Sequence, residues 1–220
     1  MPPESRTFIE EARRAQIIDC AIEVLATQGY AHATMARIAA RARVSAGVIS
    51  YHFGGKQQLI EAVVEKVAGL ATDLMVPRIL AQPTATEGLR VYIEGNLEFM
   101  RLHREPLLAL VEIITHAVSE GGGPGPYAAQ AETAITDLMK LLDWGQRTGE
   151  FRDFDQRAMA IAIRGAIDAV PARLLAAHPT GDPTGDPTGG PTGGPGFDLD
   201  ALAREYVTLF TLATTGRNPS

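Results

Sequence analysis

A single cysteine, Cys20, stands in 220 residues, which excludes an intramolecular disulfide and any cysteine-based metal cluster. Its place among the apolar positions of a helix reads as a buried, inert thiol. No run of about 18 consecutive apolar residues occurs, so no membrane-spanning helix is expected. The opening MPPESRTFIEEARRAQ lacks the apolar core of a signal peptide, and a cytoplasmic protein is the expectation. Positive charge is in deficit, with 20 Lys and Arg against 26 Asp and Glu, so any surface for a polyanion must be local. The patterns G-x-S-x-G, H-E-x-x-H and G-x-x-x-x-G-K-[ST] are missing, and His32, His52, His103, His116 and His178 have no ligand-like spacing. No catalytic residue, metal or cofactor is therefore expected. Two-residue alternation of strand type is also lacking, which leaves an all-α fold.

What is present is concentrated in TMARIAARARVSAGVISYHFGGK, residues 34–56. Thr34 is a good N-cap for a short helix with Met35, Ile38, Ala39 and Ala42 on one face and Arg37 and Arg41 opposite. After a break at Arg43 and Val44, Ser45 caps a second helix whose Val48, Ile49 and Phe53 point back to the first. Its other side carries Gly47, Ser50 and Tyr51, small and polar near the start, as suits a helix that approaches a DNA major groove closely. Residues 31–58 hold Arg37, Arg41, Arg43 and Lys56 and no acidic residue. Taken alone, such a run is commonly a solvated helix face. Capping, spacing and charge sign together indicate a helix-turn-helix for double-stranded DNA.

At these residues the chain resembles the TetR family of bacterial transcriptional repressors. Thr34, Ile38, Ala39, Val44, Ser45, Gly47, Tyr51, His52, Phe53 and Lys56 match its signature position by position. Arg43 stands where the family has a turn glycine, Ala46 where a basic residue is usual, and Ser50 where an aromatic is frequent. The resemblance implies that Thr34, Ser45, Tyr51, His52 and Lys56 hold the DNA backbone while Ala46, Gly47, Val48 and Ser50 face the bases, and Arg43 is expected among the DNA-binding residues as well.

The remainder reads as helices. One from about 9 to 28 buries Ile17, Ile18, Ala21, Val24 and Leu25 and ends at Gly29. Gly54 and Gly55 make a tight turn, and Lys56 opens a long helix, a position where backbone N–H groups and the helix dipole favour a phosphate. Further helices are expected at about 85–103, from Pro106 to about 119, at 127–148, at 155–178 and at 199–214. GPGPYA fits a loose dinucleotide fingerprint by chance, since a helix precedes it. Residues 179–196, PTGDPTGDPTGGPTGGPG, read as a mobile loop with a reach of about 23 Å. A division follows: 1–55 for DNA binding, 56–220 for regulation and dimerisation.

Two further sites are expected. Ala158, Ala162, Gly165, Ala166 and Ala169 give the penultimate helix a small-residue face, and Leu202, Tyr206, Leu209 and Ala213 form a stripe on the last. On the residues alone these helices could pack within the monomer; the resemblance implies a homodimer through a four-helix bundle. GEFRDFDQRAMAIAIRGAIDAVPARLL is also similar to the regulatory domains of actinobacterial TetR-type proteins. In such a domain Phe99, His103, Leu107, Leu110, Ile114, Met139, Leu142 and Trp144 would line the pocket of a hydrophobic effector, with His103 its polar contact. Most such stripes are plain core, and a histidine at a helix end commonly faces solvent. The function implied is a ligand-released homodimeric repressor; the alternative is an all-helical small-molecule binding protein or enzyme that does not bind DNA.

Overall fold

Apolar residues at helical spacing, broken by glycine, proline and capping side chains, produce ten α-helices among the described residues and no strand. The computed structural model describes residues 3–121, 125–176 and 198–216. The helices are α1 (Pro3–Gln28), α2 (Met35–Ala42), α3 (Ala46–Phe53), α4 (Lys56–Leu80), α5 (Ala85–Leu102), α6 (Arg104–Ser119), α7 (Ala128–Arg147), α8 (Gln156–Asp168), α9 (Val170–Ala176) and α10 (Leu199–Thr215). The loop expected at 179–196 lies outside the described residues.

The chain divides into two compact units, one of Met1–Leu70 with His103–Gln130, the other of Ala71–Leu102 with Ala131–Ser220. This grouping differs from a split at residue 55, because α6 packs along α1 although some 80 residues separate them in the chain. In the first unit Ile17, Leu25, Ile38, Ile49, Leu59 and Ile113, from α1, α2, α3, α4 and α6, are fully buried. Each such side chain contributes about 1.5–3 kcal/mol relative to exposure. Cys20 is half-buried rather than sealed in this core, and burial pushes its thiol pKa up from 9.0.

In the second unit α10 and α8 both pack on α5. The N-terminus of α5 is capped from far along the chain: the Glu150 carboxylate accepts the N–H groups of Ala85 and Thr86 at 3.0 and 2.9 Å, and both the Thr86 and the Thr148 hydroxyls. Gly145 is required by a close approach, since a Cβ there would collide with the buried Phe151 ring. Between α5 and α8 the Arg164 guanidinium is buried and donates to Tyr92 Oη at 3.1 Å, to Asn96 Oδ1 at 3.0 Å and to Asp168.

Two boundaries depart from expectation. Helix α1 starts at Pro3 and not near Ile9, because its first turns are held by backbone geometry without an apolar face: Phe8 and Ile9 are exposed. The single helix expected over 155–178 is two, α8 and α9, with a break at Ala169. Pro171 explains it, since proline cannot donate the next helical hydrogen bond. Residues 177 and 178 lie outside the described residues.

Candidate nucleic-acid interface

Two side-chain caps and one strained residue make the helix-turn-helix. The Thr34 hydroxyl accepts the Arg37 N–H and starts α2; the Ser45 hydroxyl accepts the Val48 N–H, likewise at 3.3 Å, and starts α3. Between them Arg43 takes the left-handed conformation, φ 55°, with its N–H turned to the Ala40 carbonyl and that of Val44 to the Ala39 carbonyl. Glycine is the residue favoured in this helix-ending motif. Arginine there costs on the order of 1 kcal/mol of backbone strain.

Helix α3 buries Ile49 and Phe53 and presents Ala46, Gly47, Ser50 and Tyr51 to solvent, with Val48 and His52 half-buried. Tyr51 is 75% exposed. Gly47 needs no space inside the chain, since a Cβ there would meet only the Ser45 hydroxyl, at 3.6 Å. Its bareness matters only to something that approaches from outside. Thr34, Arg43 and Ser45 are exposed as well.

Residues of α1 that sequence reasoning did not single out fix these helices. Arg14 lies 4.3 Å over the Phe53 ring and donates to the His52 carbonyl at 2.9 Å, so it caps the end of α3. Gln16 donates to the Ala42 carbonyl at 3.3 Å and does the same for α2. Both partners are more than 25 positions away, beyond any local signal. The local charge is also smaller than residues 31–58 suggest: Arg41 is doubly bonded to Glu23 of α1 at 2.5 Å, and this hydrogen bonding raises its pKa. Arg37 turns to Gln28 Oε1 at 3.1 Å and to the His32 carbonyl. Lys56, at the start of α4, is half-buried, with its ammonium 4.2 Å over the Tyr30 ring and burial lowering its pKa from 10.5.

Residues 17–63 match the model of the bacterial regulatory proteins of the tetR family, a span that contains α2, α3 and their Thr34 and Ser45 caps. This helix-turn-helix is of the TetR family type. Among curated TetR relatives, the regulator BetI of Cronobacter sakazakii is 33% identical over 106 residues, covering 47% of this chain and 52% of BetI. BetI 1 of Chromohalobacter salexigens is 38% identical over 98 residues, covering 44% of this chain and 48% of its own. The chain thus spans about half the length of the curated relatives it matches. Solved structures extend the likeness in fold: a TetR-family regulator from Rhodococcus sp. superimposes with a TM-score of 0.74 at 20% identity over 93% of this chain and 99% of its own. The fatty acid degradation regulator FadR of Bacillus halodurans gives 0.72 at 20% identity over 90% and 94%.

The TetR regulatory residues expected from sequence fall as follows. Ala158, Ala162, Gly165 and Ala169 are all exposed along one side of α8, next to exposed Ile161. On α10 Leu209 is exposed, while Leu202 and Tyr206 are half-buried and the Tyr206 hydroxyl donates to the Ala166 carbonyl at 3.1 Å. The inward side of α10 is Phe210, Thr211 and Thr214, offset from the Leu202 stripe. Of the pocket residues, Phe99, Met139, Leu142 and Trp144 belong to the second unit and His103, Leu107, Leu110 and Ile114 to the first. Phe99, Leu107 and Leu142 are buried, the other five half-buried, and His103 is the residue that precedes α6. A cleft of about 390 Å³ in the second unit is lined by Arg78, Glu94, Leu97, Glu98, Arg101 and the start of α10, and by none of these eight.

Proposed function

We propose that the chain is a homodimeric transcriptional repressor that binds a palindromic operator and is released by a small hydrophobic effector. The observation that carries this is the outer face of α3: capped by Ser45, small at Ala46, Gly47 and Ser50, and flanked by the cations Arg43 and Lys56. Thr34, Arg43, Ser45, Tyr51, His52 and Lys56 hold phosphates in this reading, and Ala46, Gly47, Val48 and Ser50 meet the bases. Two copies come together through the open apolar side of α8 and the Leu202, Tyr206 and Leu209 side of α10, as a four-helix bundle. The protein acts where its DNA is, in the cytoplasm, and among the described residues no helix is long and apolar enough to cross a membrane.

The effector releases the operator by favouring the dimer geometry that cannot span two half-sites. Support for a small-molecule effector on a DNA-binding protein of this fold comes from AibR, similar in fold at a TM-score of 0.64 and 17% identity, whose structure holds both isovaleryl coenzyme A and operator DNA.

The test is anisotropy of a labelled duplex, enriched by the protein from a random-sequence pool, over a salt series. Binding should weaken steeply with salt, and Lys56→Ala should flatten the logarithmic slope by about one, the share of one phosphate. Unchanged affinity and slope for Lys56→Ala would remove its phosphate role, and a protein that retains no duplex would remove the reading as a whole.

A further inference from the structure

The turn between α1 and α2 is gripped from three sides. Gly29 enters it at φ 77°, and a Cβ on Gly29 would press on the Glu112 carboxylate at 3.1 Å. The next residue, Tyr30, donates its backbone N–H to Glu112 Oε2 at 3.1 Å. Its ring stacks on the His116 imidazole, centroids 3.9 Å apart and planes 17° from parallel. The Lys56 ammonium stands 4.2 Å from the same ring centroid and donates to the Tyr30 carbonyl at 3.5 Å. A ring and an ammonium that close to one centroid take opposite faces. Tyr30 is therefore clamped between α6 and the first residue of α4.

Glu112 and His116 are one helical turn apart on α6, so a single face of that helix holds both the main chain and the ring of Tyr30. Tyr30 in turn holds a lysine. A Lys ammonium has three donors and a long flexible stem, which on an open helix start would wander through many rotamers. Here one donor is spent on the Tyr30 carbonyl and the cation rests on a π face, which leaves donors for an outside anion and removes most of that freedom. Burial has already stripped part of its water, as the lowered pKa records.

We infer that Tyr30, Glu112 and His116 are positioning residues for operator binding: α6 clamps Tyr30, and Tyr30 aims the Lys56 ammonium at a phosphate. This rests on the reading of Lys56 as a phosphate contact and extends it to a helix outside the helix-turn-helix. Helix α6 is on this account part of the DNA-binding apparatus.

The experiment measures affinity and salt slope with the same enriched duplex for wild type, Lys56→Ala, His116→Ala, His116→Phe and the double variant Lys56→Ala/His116→Ala, below each variant's melting temperature. His116→Ala should weaken binding about threefold to tenfold and lose part of the slope that Lys56→Ala loses. The added effect of His116→Ala should vanish when Lys56 is already alanine. His116→Phe, which keeps a ring to stack, should bind nearly as wild type does. A His116→Ala loss that is the same with and without Lys56, a loss with an unchanged slope, or no loss at all would each overturn the positioning role. If Lys56→Ala is itself without effect, the phosphate reading fails and this inference fails with it; if Lys56→Ala behaves as expected and His116→Ala does not, only this inference fails.

Discussion

The helix-turn-helix and the outer side of α8 both leave small residues bare to solvent, yet their surroundings differ. Around Gly47 on α3 stand a hydroxyl-capped helix start, Arg43, Lys56 and the exposed Tyr51. Around Gly165 on α8 stand Ala158, Ile161, Ala162 and Ala169, also exposed, and a Cβ on Gly165 would meet nothing. Neither glycine is explained by packing inside the chain. The polar, cation-rimmed face suits a polyanion; the apolar one suits another apolar surface, which in the proposed dimer is a second copy of α8. Small residues thus say that something comes close, and the chemistry beside them says what.

The largest effect should come from spoiling the apolar face. Gly165→Glu has room in the monomer, so the chain should fold, while a charge placed there in a helix-helix contact is costly to bury. Sedimentation should show monomers, and affinity for a palindromic duplex should fall about 10²- to 10⁴-fold, the gain that linking two modules gives. A dimer that persists would place the interface elsewhere.

The matching change on the other face is Gly47→Leu. A Cβ at this exposed position meets only the Ser45 hydroxyl inside the chain, and leucine improves helix propensity, so melting temperature should hold or rise. Operator affinity should nevertheless drop by at least about tenfold, about 1.4 kcal/mol. Retained affinity would mean that nothing approaches α3 closely.

Glu150→Gln separates stability from binding. It removes the charged cap of α5 and should cost about 1–2 kcal/mol in denaturant melts, with DNA contacts untouched. Burial acts to raise the Glu150 pKa, but the hydrogen bonds from Thr86, Ala85 and Thr148 outweigh it and hold the pKa below 4.5. A carboxylate depressed in the folded state stabilises above its unfolded pKa, so this contribution is complete above about 4.5 and lost as pH falls through the folded value. The gap between wild type and Glu150→Gln should close on acidification; a gap independent of pH would deny the charge its role.

The smallest effect has two signs. Arg43→Gly should relieve the left-handed strain and raise stability by about 1 kcal/mol. If Arg43 meets a phosphate, the same change should lower affinity severalfold and flatten the salt slope by about one. A variant that is more stable and binds equally well would leave Arg43 as strain without function.

The caps Thr34 and Ser45 were legible because capping is a relation across three residues, and the buried faces of α2 and α3 because helical spacing is regular. What packs on those helices was not. Arg14 reaches the end of α3 across 38 positions, Glu23 neutralises Arg41 across 18, and Glu112 reaches Tyr30 across 82, and no periodicity encodes such pairs. On α10 the apolar stripe was assigned by spacing, whereas Thr214 goes inward beside Phe210 and Thr211, its hydroxyl donating to the Phe210 carbonyl of its own helix. A threonine that satisfies itself is apolar to its neighbours, and composition does not reveal it.

Central to the account is that two copies of α3 read two half-sites at a fixed separation. The direct measurement is affinity for a set of duplexes that carry the enriched palindrome with its half-sites moved apart one base pair at a time. The account predicts that affinity falls to that of a single half-site at an added half turn, about 5 bp, and recovers in part near a full turn. Affinity that is indifferent to the separation would contradict it.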